Sequence, residues 1–172
     1  MEYVYFISSL PMLQFDAKPP FSFENFLIKA AGFVSAKELE ILRGLCDENI
    51  SSVKLSLIER WQSFDTSLRN ELVKLRAARK KVDPHKYLRP DGVISSVLAH
   101  VVSSAQRSHS PLEGEKILDR EKWNFLDELS FGHYFDFEVL VIYGYRLLIL
   151  ERWEKIRQQD AGKNIEGLLI SN

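Results

Sequence analysis

One cysteine, Cys46, stands in 172 residues. That excludes an intramolecular disulfide and a cysteine-based metal site, and it suits a reducing cytoplasm. The eight glycines are scattered, with neither GxGxxG nor GxxxxGK[ST] among them, so no phosphate-cradling loop is expected. His85, His100, His109 and His133 pair neither with one another nor with carboxylates at metal-ligand spacing on one helix. No serine or cysteine lies in a nucleophile motif. A formal net charge of -1 argues against a surface given over wholly to nucleic acid or an anionic membrane. The N-terminal "MEYVYFISSLPML" lacks the basic start of a secretory signal, since Glu2 is its only charge, and it reads as a short buried segment, extended or helical. The greasiest run offers only twelve residues between Glu138 and Glu151, interrupted by Arg146, where a spanning helix needs about 20. From these absences we expect no catalytic residue, no cofactor and no metal.

What remains is helical periodicity. Residues 52 to 81 place Leu57, Trp61, Phe64, Leu68, Leu72 and Leu75 at steps of three and four, one apolar stripe on a long helix. A second long helix is expected at about 135 to 158. There Leu140, Tyr143, Leu147 and Leu150 form a stripe, and Val141, Ile142, Tyr145, Leu148 and Ile149 cover most of the remaining surface. Such all-round apolarity marks a core helix, with Gly144 admitting a close neighbour and "ERWEKIRQQD" emerging into water. Shorter helices are expected at 23 to 31, capped by Ser22; after Ser35, whose partner Glu38 completes a capping box ahead of Leu39, Leu42 and Cys46; near 91 to 103, carrying Val93, Ile94, Val97, Leu98 and Val101; and around Trp123, Leu126 and Leu129. Pro11, Pro19 and Pro20 make 11 to 22 a linker. The fold class is all-α, a compact bundle of five or six helices. It forms a single domain over 1 to 172, whose allowed division is two lobes, 1 to 103 and 111 to 172, joined by a polar loop at 104 to 115. "RWQSFD" at 60 to 65 and "KWNFLD" at 122 to 127 share a basic residue, Trp and Asp at equal spacing, a weak hint of repetition.

The strongest charge signal is "RNELVKLRAARKK", in which Arg69, Lys74, Arg76, Arg79, Lys80 and Lys81 face only Glu71. Cations gathered in the last turns of a helix are also favoured by its negative end. As a binding surface they suit an acidic protein partner, because no interleaved aromatics offer bases a platform. Arg152 and Arg157, on the charged end of the last long helix, join them as partner-binding candidates. In "HYFDFE" only His133 and Asp136 share a helical face, and acidic residues at a helix start are favoured by its positive end.

Three stretches, "YVYFISSLPML", "LRNELVKLRAARKKVDPHKYLRP" and "KWNFLDELSFGHYFDFEVLVIYGYRLLILERWEKIRQQDAG", resemble a bacterial family of unknown function (domain-of-unknown-function family 2764). Its members are encoded in V-type (archaeal-type) ATPase operons, where the gene for the socket component of the central stalk would be expected. The resemblance implies a non-catalytic helical stalk component linking the soluble rotor shaft to the membrane ring, with those ATPase subunits as partners. It also implies a cytoplasmic location peripheral to the inner membrane through the complex. The chain is short for a three-lobed socket, and no ion or nucleotide site carries over. The alternatives are a helical nucleic-acid-associated protein using 69 to 81, and an enzyme with a site around His133 and Asp136.

Overall fold

The computed structural model describes residues 2–46, 55–90, 92 and 96–170, with side chains for 3–46, 55–90, 92 and 96–159. Seven α-helices and no strand occur among the described residues. They are α1 (Glu2–Ser9), α2 (Phe23–Ala30), α3 (Ala36–Gly44), α4 (Ser56–Lys80), α5 (Ser96–Gln106), α6 (Pro111–Leu129) and α7 (Phe137–Ile170). The all-α expectation holds, with one or two more helices than expected, because the N-terminal segment itself is helical. No helix among the described residues is long and apolar enough to cross a membrane.

The chain divides into two compact units, and not at the polar stretch expected to separate two lobes. The first joins residues 1–50 to 130–172, so it is built from α1, α2, α3 and α7; the second is the intervening 51–129, with α4, α5 and α6. Residues 104 to 115 fall inside the second unit, where α5 and α6 pack on each other. Only a four-residue turn, 107 to 110, separates those two helices.

In the first unit α1, α2 and α3 all pack on α7. Ser22 caps α2 by accepting from the Asn25 amide at 3.2 Å, and Ser35 with Glu38 forms the expected capping box on α3. Phe23 and Phe26 of α2 are buried, as are Ile41, Leu42 and Leu45 in and just beyond α3. Cys46 lies past the end of α3 and is exposed, so it does not continue the α3 stripe as expected. On α7, Leu140, Val141, Leu147 and Leu150 have no solvent exposure, and each such burial is worth roughly 1.5–3 kcal/mol. Gly144 permits the close approach: a Cβ there would lie 2.7 Å from Leu45 Cδ1 and 3.3 Å from the Phe23 ring.

The charged continuation of α7 emerges on one side, where Arg152, Lys155, Arg157, Gln158 and Gln159 are exposed, while its other side stays in contact with the fold. Glu151 accepts the Phe23 amide at 2.8 Å, which satisfies an orphan N–H at the start of α2. Two residues on, Trp153 is buried. Further along, Arg157 donates to the carbonyls of Asp16 (2.9 Å) and Ala17 (3.2 Å), fastening the linker to α7. The expected linker at 11 to 22 is therefore held in place, with Tyr143 also donating to the Pro11 carbonyl at 3.1 Å. Burial holds the Tyr143 phenol above its ordinary ionisation range, so it stays protonated as a donor.

The second unit has its own core, formed by Leu68, Leu98, Val102, Ala105 and Leu118, with Phe64, Leu72, Leu75, Val101 and Ile117 packed around it. The α4 stripe thus faces α5 and α6 as its spacing required. Trp123, Leu126 and Leu129 of α6 are buried as expected, whereas Val97 is exposed, and Val93 and Ile94 lie outside the described residues. The two tryptophan hexads occupy unlike places, one in the first turns of α4 and the other in the last turns of α6. They are not copies of one structural unit.

Candidate partner-binding surface

α4 ends in a Schellman turn. Lys81 takes the left-handed conformation (φ 54°), its amide reaching Ala78 O at 3.3 Å, while the Val82 amide reaches Ala77 O at 3.1 Å. Asp83 then accepts the His85 amide at 3.0 Å, and Pro84 leads into a single 3-10 turn at His85–Tyr87. The chain next folds back on α4, and the nearly buried Asn70 side chain holds it there. The amide of Asn70 donates to Arg89 O and its oxygen accepts from Arg89 N, each at 2.9 Å. A single side chain thus satisfies both backbone groups of Arg89. The connection is thus pinned at Arg89 beside Asn70, in the middle of α4, and it carries two exposed cations, Lys86 and Arg89.

The eight candidate cations separate into distinct groups. Arg69, Arg76 and Lys80 stand at i, i+7 and i+11, one face of α4. Arg69 is committed to Asp65 at 2.7 Å, and Asp65 is bridged in turn to Lys122 of α6 at 3.2 Å. Lys74 pairs with Glu71 at 2.6 Å. Arg79 lies toward α5, where the Gln106 amide oxygen, in its satisfied orientation, accepts from the guanidinium. Arg76, Lys80 and Lys81 are exposed, and among the described residues no carboxylate pairs with them. Arg152 and Arg157 belong to the other unit, and Arg157 is engaged by Asp16, Ala17 and Glu154. The surface is therefore narrower than the sequence suggests at its start, and it extends past 81 through Lys86.

Two exposed apolar side chains, Val82 and Tyr87, stand in the connection that follows α4, and Lys86 Nζ sits 6.0 Å from the Tyr87 ring centre. Sequence reasoning restricted to 69 to 81 misses them, although "KKVDPHKY" continues the basic run with a tyrosine.

Two other places have the makings of a site. His133 Nδ1–H donates to Asp136 Oδ2 at 2.6 Å, while Asp136 Oδ1 accepts the Val139 amide at 3.3 Å and so caps α7. Glu138 brings a third donor group, all three lying within 4.8 Å of one another. The hydrogen bonds follow the helix-start reading of "HYFDFE". In the second unit an open groove of about 420 Å³ is lined by Arg60, Phe64, Val97, Glu121, Phe125 and Glu128. Its Phe64 and Phe125 rings are stacked with centres 4.0 Å apart.

A family profile described as "Protein of unknown function (DUF2764)" matches residues 98–169. That span covers α5 from Leu98, all of α6 and nearly all of α7. It takes in the last of the three stretches that carry the resemblance and leaves the end of α4 outside. No curated protein and no solved structure matches the chain.

Proposed function

We propose that the chain is a non-catalytic helical adaptor, a stalk component of a bacterial V-type ATPase that links the soluble rotor to the membrane ring in the manner of the central-stalk socket. Three stretches of family resemblance supply the assembly, and the profile match to 98–169 agrees with the last of them. The observation that carries docking is the cationic end of α4. Arg76, Lys80 and Lys81 have no carboxylate partner among the described residues, and Asn70 fixes the connection that adds Lys86. Cations on the last turns of α4 and on the pinned connection with Val82 and Tyr87 suit an acidic protein surface, where charge sets encounter and register and the tyrosine supplies buried contact. Association with a membrane runs through the partner subunits.

The test is co-purification from the native host. Reversing Arg76, Lys80 and Lys81 to Glu should abolish recovery of ATPase subunits, while reversing Lys37 and Arg43 on α3 should leave it intact. Arg79 is spared because its guanidinium serves Gln106. Unchanged recovery would remove this contact. The nucleic-acid alternative rests on the basic segment 69 to 81, and the exposed Tyr87 beside Lys86 adds a ring on which a base could stack. Binding to a DNA duplex or RNA that weakens steeply with added salt would replace the adaptor reading.

A further inference from the structure

The loop entering α7 carries four aromatics in seven residues, and only one of them is used in the fold. Phe137 is buried, whereas Phe131, Tyr134 and Phe135 are 89%, 70% and 52% exposed. Gly132, at φ +88°, turns the chain between the first ring and the other two. Each such ring carries roughly 150–250 Å² of surface, and soluble proteins seldom leave several together in water unless something covers them.

Charge identifies what that is. Residues 123 to 145 contain no lysine or arginine, and neither do residues 1 to 17, which include α1, a helix packed on α7. Beside the rings stand Asp136 and Glu138, both partly exposed. Asp136 already accepts from His133 and from the Val139 amide, so Glu138 is the carboxylate offered to a ligand. Aromatic faces are themselves negative, so rings and carboxylates together make a receptor for cations. A guanidinium fits best, because it stacks flat on a ring while forking to a carboxylate. An anionic lipid surface or a nucleic acid would be repelled by the same carboxylates.

We infer that residues 130 to 138 form a second docking site, opposite in sign to the end of α4, that takes an arginine-bearing segment of a protein partner. The site stands independently of the adaptor reading, since it needs no particular assembly. Two surfaces of opposite charge would let one chain hold an acidic and a basic partner at once.

The experiment uses the full chain and a capped peptide of alternating glycine and arginine, followed by NMR of the backbone amides. Saturable shifts confined to 130 to 138 are expected, with weaker binding of the lysine analogue. The triple variant Phe131→Ser/Tyr134→Ser/Phe135→Ser and the single variant Glu138→Gln should each weaken binding at least fivefold. These positions are partly or largely exposed, so the helical circular dichroism should be unchanged. Absence of shifts at 130 to 138, or equal binding by the triple variant, would overturn the site. So would aromatic-dependent binding to phosphatidylcholine–phosphatidylglycerol vesicles, which would make the loop a lipid anchor.

Discussion

At the scale of single residues, two helical glycines separate the effect of backbone contact from that of side-chain contact. A Cβ on Gly114 would meet the Ala105 carbonyl oxygen at 2.7 Å, with Ser108 Oγ at 3.1 Å. The obstacle is backbone, so α6 must move off α5. Gly114→Ala should destabilise by about 1–3 kcal/mol despite the gain in helix propensity of about 1 kcal/mol. At Gly144 the nearest atom is the mobile end of Leu45, so Gly144→Ala should stay within about 1 kcal/mol of wild type. Thermal melts of the two variants compare them directly, and equal losses would contradict the distinction. Glu38 tests a charge in the same way. Burial alone would raise its pKa, but hydrogen bonds from Tyr3, the Ser35 hydroxyl and the Ser35 amide prevail and hold it below the ordinary 4.5. The folded carboxylate is thus the stronger acid. Its stabilisation is complete above about pH 4.5 and is lost as pH falls through the lower folded value. Glu38→Gln should flatten the acid limb of the stability–pH curve and leave its slope near neutrality unchanged. An acid limb as steep as in the wild type would contradict this assignment.

At the scale of elements, the end of α4 depends on one buried amide. Asn70→Ala removes both hydrogen bonds to Arg89 and should cost about 2 kcal/mol, with faster hydrogen exchange at the Arg89 amide. Unchanged exchange there would show that the connection is held by something else. The same region shows what can be read from sequence. The stripe from Leu57 to Leu75 and the caps at Ser22 and Ser35 are local signals, written within a few residues, and the structure follows them. The start of α6 is equally local, because "SPLE" sets Ser110 before a proline at the first helical position. Ser110 Oγ accepts the Glu113 amide at 3.1 Å, and Glu113 in turn accepts from the His109 amide. Pro111 and Gly114 read as loop punctuation only where that cap goes unnoticed. The Asn70 clasp, by contrast, spans nineteen residues, and nothing in local spacing announces it. The Arg157 bonds to the linker are hidden for the same reason, whereas the burial of Trp153 is what a tryptophan on an amphipathic helix leads one to expect. A charged sequence tells little about where a distant segment lies. Likewise, the exposure of Phe131, Tyr134 and Phe135 runs against composition, which places aromatics inside.

At the scale of the whole molecule, the second unit is an insertion: the chain leaves the first unit after residue 50 and re-enters it at 130. Its core of Leu68, Leu98, Val102, Ala105 and Leu118 comes entirely from its own three helices. The α4–α6 bridge from Asp65 to Lys122 and the Asn70 clasp also begin and end inside it. Sequence read in order favours dividing a chain at a polar stretch, and for that reason it could not show two units in which the first and last thirds belong together. The division makes a prediction about both folding and binding. A fragment of residues 51–129, at about 80 residues, sits near the size at which a lone core suffices. It should give a helical circular dichroism spectrum with a cooperative, though lower, melting transition. Because the end of α4 and its returning connection lie wholly within it, the folded fragment should retain the salt-sensitive capture of an acidic partner and lack binding of the arginine peptide. A fragment that melts cooperatively yet captures no acidic partner would place that contact in the first unit. Arg152 on α7 would then become the cation to reverse.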